Sequence, residues 1–164
     1  MDDVLTQNAR AFAIRHQLCL AERLGFGIHG TVFVAEGNTK PGKSAIKAHR
    51  ASEPYARERD VYERLREAGV TGILGFHVPQ LIRCDNALHV IEMSIVARPF
   101  VLDFAGAYLD APPEFADEIW EEWEAEKREQ FETRWPIVQS VLAALEELDI
   151  HMIDVSPSNV AFLD

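Results

Sequence analysis

Three short motifs carry the residue types that handle phosphate groups, and they follow one another along the chain. They are LGFGIHGTVF at residues 24–33, AIK at residues 45–47 and DVSPSN at residues 154–159. Glycine lets a backbone approach a polyphosphate closely because it has no side chain. A lysine can neutralise phosphate oxygens, an aspartate can accept a hydroxyl proton, and an asparagine can bind Mg²⁺. In combination, the three motifs predict chemistry on a nucleoside triphosphate.

The glycine motif is a weak signal by itself, since dinucleotide-binding loops share it. Such a loop needs a helix directly after its third glycine. Here Thr31-Val32-Phe33-Val34 follows that glycine, and β-branched and aromatic residues favour a strand. The motif is therefore predicted to form a β-hairpin lid over the ligand. An ordinary hairpin without a ligand is the alternative.

A second phosphate-binding pattern, G-x-x-x-x-G-K-[ST], is matched by GNTKPGKS at residues 37–44. Loops of that type hold phosphate with consecutive backbone N–H groups, and Pro41 has no N–H to donate. Residues 44–46 also continue as a strand, and the match leaves Asp154 and Asn159 without a role. We therefore favour the first glycine motif as the phosphate-binding loop.

Hydrophobic periodicity predicts the elements that position the motifs. Strand-like runs occupy residues 19–25, 30–37, 43–49, 79–84 and 87–93, and a helical pattern occupies residues 52–68. The first three strands read as an antiparallel meander, and Asp85-Asn86 is predicted to connect the last two as a tight hairpin. The N-terminal half therefore reads as five strands crossed by one helix.

The C-terminal half reads as helical. A glutamate-rich helix is predicted for residues 114–130, and an apolar stripe after Pro136 predicts a buried helix just before residues 154–159. A short strand at residues 160–163 follows. The acidic helix is interpreted as a solvent-exposed helix with one apolar edge, and a docking surface is the alternative.

Composition narrows the class of protein. The 164 residues carry 16 Lys and Arg against 27 Asp and Glu, and the resulting net charge of −11 repels nucleic acid. No apolar run is long enough for a membrane span, and the N-terminus lacks the basic start of a signal peptide, so a soluble cytoplasmic protein is expected.

Cys19 and Cys84 lie in apolar runs and are expected to be buried, reduced thiols rather than a disulfide.

The order and spacing of the three motifs resemble those of the protein-kinase superfamily. The resemblance implies an α+β fold, with an N-lobe at residues 1–94 that contains a five-stranded antiparallel sheet and one helix. An abbreviated helical C-lobe is implied for residues 95–164. ATP and Mg²⁺ are expected to bind between the lobes, beneath a lid that contains Gly25, Gly27 and Gly30.

Further site residues follow from the same resemblance. Lys47 is expected to neutralise the α- and β-phosphates and to pair with Glu58 of the helix, with Glu63 as the fallback. Glu92 and Met93 fall on the hinge between the lobes, where backbone groups of a kinase meet adenine.

The segment near the C-terminus has the D-x-x-x-x-N spacing of a kinase catalytic loop. The resemblance makes Asp154 the base and Asn159 a Mg²⁺ ligand. The family's H-R-D signature appears as Met152-Ile153-Asp154, so control through a phosphorylated activation loop is not expected. The sequence reaches Asp164 before any D-F-G could follow the catalytic loop. The main metal-binding aspartate is therefore expected to be missing, and Asp164 is the remaining candidate ligand for Mg²⁺.

Three functions are compatible with this set of residues. The first is a reduced phosphotransferase that moves the γ-phosphate of ATP to a hydroxyl group of a protein or a small molecule. The second is a pseudokinase, which binds ATP and a protein partner without catalysis. The third is a structural remnant that binds no nucleotide. A shortened C-lobe would also leave apolar surface that a homodimer could cover.

Overall fold

The structure is a computed structural model, and it describes residues 3–39 and 41–164. The elements in chain order are α1 (Val4–Arg15), β1 (Leu18–Phe26), β2 (Gly30–Gly37), β3 (Lys43–His49), α2 (Ser52–Glu67), β4 (Gly72–Ile73), β5 (Phe76–His77), β6 (Leu81–Asp85), β7 (Val90–Ser94), β8 (Phe100–Val101), β9 (Tyr108–Leu109), α3 (Asp117–Phe131), α4 (Trp135–Glu146), β10 (Ile150–His151) and β11 (Val160–Ala161). The alternative phosphate-loop pattern at residues 37–44 includes Lys40, which lies outside the described residues.

The main sheet has five strands in the order β1-β2-β3-β7-β6, and all neighbouring strands are antiparallel. Helix α2 follows β3 and packs against one face of this sheet. The predicted α+β class, with a five-stranded antiparallel sheet and a helix beginning at Ser52, is confirmed.

The connection between β6 and β7 differs from the predicted two-residue turn. Asp85 pairs with Val90, so four residues form the loop between them. The Asp85 carboxylate accepts hydrogen bonds from the backbone N–H groups of Ala87 and Leu88, at 2.9 and 3.0 Å. This side-chain turn stabilises the longer loop, which makes the prediction of a tight Asp85-Asn86 hairpin wrong.

Helix α1 covers the other face of the sheet and was not predicted from the sequence. Asp3 caps its N-terminus by accepting a hydrogen bond from the Thr6 backbone N–H at 2.8 Å. Its buried residues Leu5, Ala9 and Phe12 lie at helical spacing and pack against the sheet, with Ile46 in the same cluster. This face of the sheet is therefore closed to ligands by the chain itself.

A second, smaller sheet joins distant parts of the chain in the order β11-β8-β5-β4. Strand β8, which closely follows β7, pairs with β11 in antiparallel register, with Val101 opposite Val160 and Phe100 opposite Ala161. Because β11 directly follows Asn159, this pairing places residues 102–106 beside residues 154–159. The contact between these two segments forms one side of the site described below.

One hydrophobic core extends across the boundary predicted at residues 94 and 95. It contains Ala45 and Val61 from the N-terminal half together with Val141 and Val160 from the C-terminal half. The buried residues of α4 confirm that this helix belongs to the core, although Ile137 on the same predicted stripe is 47% exposed.

Helix α3 is the predicted acidic helix, and most of its glutamates face solvent. Its apolar edge packs through Phe131 and Trp123, whose rings contact Trp135 of α4. The interpretation as a solvent-exposed helix is confirmed, but the apolar edge lies further along the helix than its spacing predicts, since Phe115 and Ile119 are 43% and 48% exposed. None of the helices in the described part of the chain is both long enough and apolar enough to cross a bilayer.

The two cysteines form no disulfide with each other, but their environment differs from the prediction. Cys19 is exposed, and Cys84 is only partly buried. Cys19 lies on the edge strand β1, where its thiol donates a hydrogen bond to Asn38 Oδ1 at 2.8 Å. The prediction of a buried thiol is therefore wrong for Cys19, because one face of this edge strand is open to solvent.

Candidate functional site

A cleft of about 690 Å³ lies between the five-stranded sheet and the segment that contains Asp154. All three predicted motifs line it: the glycine hairpin at residues 24–30, Lys47 from β3, and Asp154 with Asn159 near the C-terminus. The volume falls within the range of small-molecule sites, which is about 300–1,000 Å³. Residues far apart in the sequence thus line the same cavity.

Lys47 is the centre of a buried ion-pair network in this cleft. Its Nζ lies 3.0 and 2.8 Å from the two carboxylate oxygens of Glu58, and 2.9 Å from Oδ1 of Asp103. The fallback Glu63 makes no ion pair with Lys47 among the described residues. Burial alone would lower the pKa of Lys47, but the charges of Glu58 and Asp103 outweigh burial and raise the pKa. Lys47 is therefore a permanent cation here.

Glu58 is buried on helix α2 and has a second partner besides Lys47. Nε2 of His49 lies 2.6 Å from Oε2 of Glu58. Burial alone would raise the pKa of Glu58, but the charge of Lys47 and the hydrogen bond from His49 lower the pKa to about 2. Glu58 is thus a buried carboxylate with two donors.

Asp103 is a site residue that the sequence argument missed. It lies in the cleft and pairs with Lys47, and its backbone has the left-handed φ of 66°. A non-glycine residue in this conformation is uncommon, and such residues occur preferentially at functional sites. The signal was visible in the sequence, where Asp103-Phe104-Ala105-Gly106 forms a D-F-x-G pattern. In this chain the pattern precedes Asp154, whereas the resemblance to protein kinases implies a D-F-G after it.

The Asp103–Gly106 turn packs directly against the segment that contains Asp154. A side-chain carbon added to Gly106 would lie 3.3 Å from Cβ of Asp154, which is tighter than ordinary van der Waals contact. The backbone N–H of Leu102 donates a hydrogen bond to the carbonyl of Asn159 at 2.9 Å. Asp103 and Asp154 are held near each other by these contacts.

Residues 154–159 form a compact turn with an internal hydrogen-bond network. Asn159 Nδ2 donates to the carbonyl of Asp154 at 2.6 Å, and Asn159 Oδ1 accepts from the backbone N–H of Ser156 at 2.8 Å. An amide oxygen has two lone pairs, so Oδ1 retains one for a further ligand. Asp154 itself is exposed in the cleft, and Trp123 Nε1 donates to the carbonyl of the preceding Ile153 at 3.0 Å. The turn therefore presents Asp154 to incoming molecules.

The three glycines of the hairpin have different surroundings. A side chain on Gly30 would collide with the backbone carbonyl of Ala48, so the fold itself requires glycine at this position. A side-chain carbon on Gly25 or Gly27 would meet nothing within 4 Å. Phe26 beside them is 74% exposed. The outer part of the hairpin thus leaves open space above the cleft.

The residues predicted for the hinge divide between the two faces of the sheet. Met93 lines the cleft, and so do the following residues 94–96. Glu92 lies opposite Ile46 in the sheet and is buried on the face that α1 covers, where it accepts a hydrogen bond from Ser44 Oγ at 2.7 Å and pairs with Arg83. The side chain of Glu92 therefore does not reach the cleft.

The structure does not bring Asp164 into the cleft. Its side chain is 93% exposed and lies 3.4 Å from Arg98. Within the described residues, no three His, Cys, Asp or Glu side chains are grouped as a self-sufficient metal site. A metal ion in the cleft would therefore need oxygens from a bound phosphate besides Asp103 and Asn159.

Tyr62 closes the inner end of the cleft, one helical turn after Glu58. Its ring packs edge-on against Phe104 with ring centroids 5.5 Å apart, and its hydroxyl has no partner among the described residues. Burial raises the pKa of Tyr62 well above its usual value, and the charges of Glu58 and Asp103 add to the rise. Tyr62 therefore stays a neutral phenol.

No protein-family model, curated protein or solved structure matches this chain.

Proposed function

We propose that this protein binds Mg²⁺-ATP in the cleft and transfers the γ-phosphate to a hydroxyl group. The main support is the meeting of Lys47, Glu58, Asp103, Asp154 and Asn159 around one cavity. These residues come from β3, from α2 and from two further segments that lie far apart in the sequence. Their side chains are the cation, carboxylates and amide that phosphoryl transfer requires.

The adenine would bind at the outer strand end, where Met93 and residues 94–96 line the cleft. The backbone N–H of Ser94 donates to the carbonyl of Gln80 at 2.9 Å, so the backbone groups of the following residues 95 and 96 are the candidates for contact with the base. Val32 and Ala45 provide an apolar floor for the base. The base-binding backbone would then lie three to four residues beyond Glu92.

The phosphates would extend from there towards Lys47, beneath the hairpin that contains Gly25 and Gly27. Both glycines leave the space above the cleft open, so a phosphate can approach the hairpin backbone. Lys47 would turn towards the phosphate oxygens and away from its present partners Glu58 and Asp103. Because the carboxylates of Glu58 and Asp103 outweigh the charge of Lys47, the phosphates would bind together with a Mg²⁺ ion that offsets these carboxylates.

Asp103 and Asn159 suit a Mg²⁺ ion because both present oxygen atoms in the cleft next to the expected phosphates. When bound, the ion would supply charge neutralisation to the phosphate oxygens. Asp103 would replace the metal-binding aspartate that the protein-kinase resemblance lacked after Asp154. The D-F-x-G segment precedes the catalytic-loop segment in this chain, and the pairing of β8 with β11 brings the two together.

Asp154 is the candidate base for the acceptor hydroxyl. Its carboxylate is exposed in the cleft, and Asn159 orders the turn behind it through the Asp154 carbonyl. An acceptor hydroxyl could therefore reach this carboxylate from solvent and lose its proton as it attacks the γ-phosphate.

Calorimetric titration with ATP, with and without Mg²⁺, tests the binding step. We expect wild-type protein to bind ATP more tightly with Mg²⁺ than without it. In Asp103→Asn this Mg²⁺-dependent increase in affinity should be at least about 10-fold smaller, because one carboxylate ligand is removed. Asp110→Asn is the matched control, since Asp110 also has a positive φ and pairs with Arg64 outside the cleft. Equal behaviour of Asp103→Asn and Asp110→Asn would contradict the metal role.

Transfer of labelled phosphate from ATP to protein and small-molecule hydroxyl acceptors tests the chemical step. Asp154→Asn should reduce transfer by roughly 100-fold or more while ATP affinity stays nearly unchanged, because a general base acts mainly on the chemical step. Bound ATP without any transfer would refute the phosphotransferase.

A pseudokinase is the second candidate, and two observations favour it. Met152 and Ile153 stand where active protein kinases carry histidine and arginine, and the Lys47–Asp103 ion pair holds together two groups that catalysis must separate. Such a protein would be stabilised by ATP without turnover. Transfer that depends on Asp154 would exclude it, and absence of ATP binding in the titration would exclude both candidates in favour of a structural remnant.

A further inference from the structure

We infer that His49 is a positioning residue that keeps the Glu58 carboxylate in place when Lys47 turns towards bound phosphate. The inference rests on the proposed function, since it concerns how the cleft responds to ATP. Nothing in the three sequence motifs indicated a role for this histidine.

His49 is fully enclosed at the end of strand β3, two residues after Lys47. Its side chain has no exposed surface. Nε2 lies 2.6 Å from Oε2 of Glu58, and Nδ1 lies 3.2 Å from the backbone carbonyl of His89. A carboxylate oxygen can only accept, so Nε2 carries the hydrogen and donates to Oε2 of Glu58. This hydrogen bond from the enclosed ring holds the Glu58 carboxylate in place.

The Glu58 carboxylate therefore has two hydrogen-bond donors, Lys47 and His49, and only Lys47 is also expected to bind phosphate. Lys47 contacts both of its oxygens, at 3.0 and 2.8 Å, but Lys47 must also serve phosphate oxygens and now pairs with Asp103. Among the described residues, the ring nitrogens of His49 contact Glu58 and the backbone carbonyl of His89. When an anionic ligand draws Lys47 away, the hydrogen bond from His49 remains. A buried carboxylate left without a partner would be strongly unfavourable, so this second anchor makes the movement of Lys47 possible.

The same contact ties helix α2 to the sheet. Tyr55, one turn before Glu58, packs its ring edge-on against His49 with ring centroids 5.6 Å apart. The backbone N–H of His49 donates to the carbonyl of His89 at 2.9 Å, which anchors the histidine to the loop before β7. Glu58 and Tyr55 thus hold α2 against one side chain of β3. The position of the helix is expected to be the same with and without nucleotide.

The test compares the affinities of ATP and adenosine by calorimetric titration. Adenosine has no phosphate and does not need Lys47, whereas ATP does. We expect His49→Phe to lower ATP affinity by roughly 10-fold and to leave adenosine affinity within about twofold of wild type. His49→Gln should recover most of the ATP affinity, because its side-chain amide can still donate to Glu58. His16→Phe is the matched control, since His16 packs against Phe12 of α1, away from the cleft.

The outcomes separate this inference from the proposed function. Wild-type protein that binds neither ligand overturns the proposed function and this role with it. If His49→Phe binds ATP with the same affinity as wild type, the role of His49 is overturned and the proposed function is not affected. An equal loss of ATP and adenosine affinity in His49→Phe also overturns it, because that result indicates a general disturbance of the cleft.

A second measurement on the wild-type protein covers the case in which His49→Phe does not fold. The hydrogen-bonded Nε2 proton of His49 should give a slowly exchanging, downfield NMR signal, assigned through its absence in His49→Gln. We expect this signal to persist when Mg²⁺-ATP is added. Its loss on ATP binding would show that Glu58 does not stay with His49, and would overturn the inference.

Discussion

The Glu58 carboxylate connects the chemistry of the site with the stability of the fold. It is enclosed in the protein and ionised, and it accepts hydrogen bonds from Lys47 and His49. The structure tolerates this buried charge because both donors reach it with short contacts. Removing one donor leaves the enclosed charge with a single remaining donor and no access to solvent, which is why such networks are sensitive to single substitutions.

Stability should depend on the protonation of Glu58 in acid. The pKa of Glu58 falls from its usual 4.5 to about 2 in the folded protein. A lowered pKa contributes stability that is fully present above about pH 4.5 and is lost as the pH falls towards 2, with a limit of about 3 kcal/mol. We expect the difference in free energy of unfolding between wild type and Glu58→Gln to shrink over this range, as measured by urea denaturation at several pH values.

Glu53 provides the control for this pH dependence. It pairs with Arg57 on the same helix, but its side chain is 72% exposed. Glu53→Gln should differ from wild type by less than about 0.5 kcal/mol at every pH, because exposed ion pairs contribute little. A constant difference between wild type and Glu58→Gln from neutral pH to pH 2 would contradict the prediction.

At the scale of elements, the glycine hairpin combines a fixed base with an open tip. At the base, Gly30 pairs with His49 across β2 and β3 and touches the Ala48 carbonyl. At the tip, the Gly27 backbone N–H donates to the Gly30 carbonyl at 2.8 Å, and the turn projects Ile28 into solvent. The hairpin is therefore anchored to the sheet near the buried network and free above the cleft.

Alanine substitutions should separate these two parts of the hairpin. Gly30→Ala introduces a collision with the Ala48 carbonyl and should lower the free energy of unfolding by about 1–3 kcal/mol. Gly27→Ala meets open space and should change it by less than about 0.5 kcal/mol. Chemical denaturation of both variants checks the expectation. Equal losses in the two variants would mean that the base of the hairpin is not tightly packed.

At the scale of the whole molecule, the two halves share one core instead of meeting only at the cleft. The α4 side chains Val138, Val141 and Leu145 belong to the same buried cluster as Val61 and Leu65 of α2. The small sheet also joins the two halves, because β5 of the N-terminal half pairs with β8 of the C-terminal half. Neither half can bury these side chains without the other.

Unfolding should therefore be a single cooperative transition. Trp120, Trp123 and Trp135 are the three tryptophans and all lie in the C-terminal half, so their fluorescence reports on that half. Far-UV circular dichroism reports on both halves. We expect the two signals to give the same urea midpoint, because the shared core couples the halves. Separate midpoints would show that residues 1–94 and 95–164 unfold as independent units.

The sequence predicted those parts of the fold and of the site that depend on residues close together in the chain. The strands β1–β3 and the helices α2 and α4 could be predicted, because glycine positions and apolar periodicity report on the local backbone. The Lys47–Glu58 pair was expected from the resemblance to protein kinases and not from these local patterns. Helix α1 was missed although Asp3 and the spacing of Leu5, Ala9 and Phe12 carried a helical signal.

The sequence by itself determined which residue types were available for phosphate chemistry and which short segments would form strands and helices. Only the tertiary structure decided that Asp103 joins Lys47 in the cleft, that His49 supports Glu58, and that Glu92 turns away. The physical reason is that these contacts depend on strand pairing and side-chain packing between segments far apart in the chain. Val101 opposite Val160 is the clearest case, since no local pattern in either strand specifies its partner.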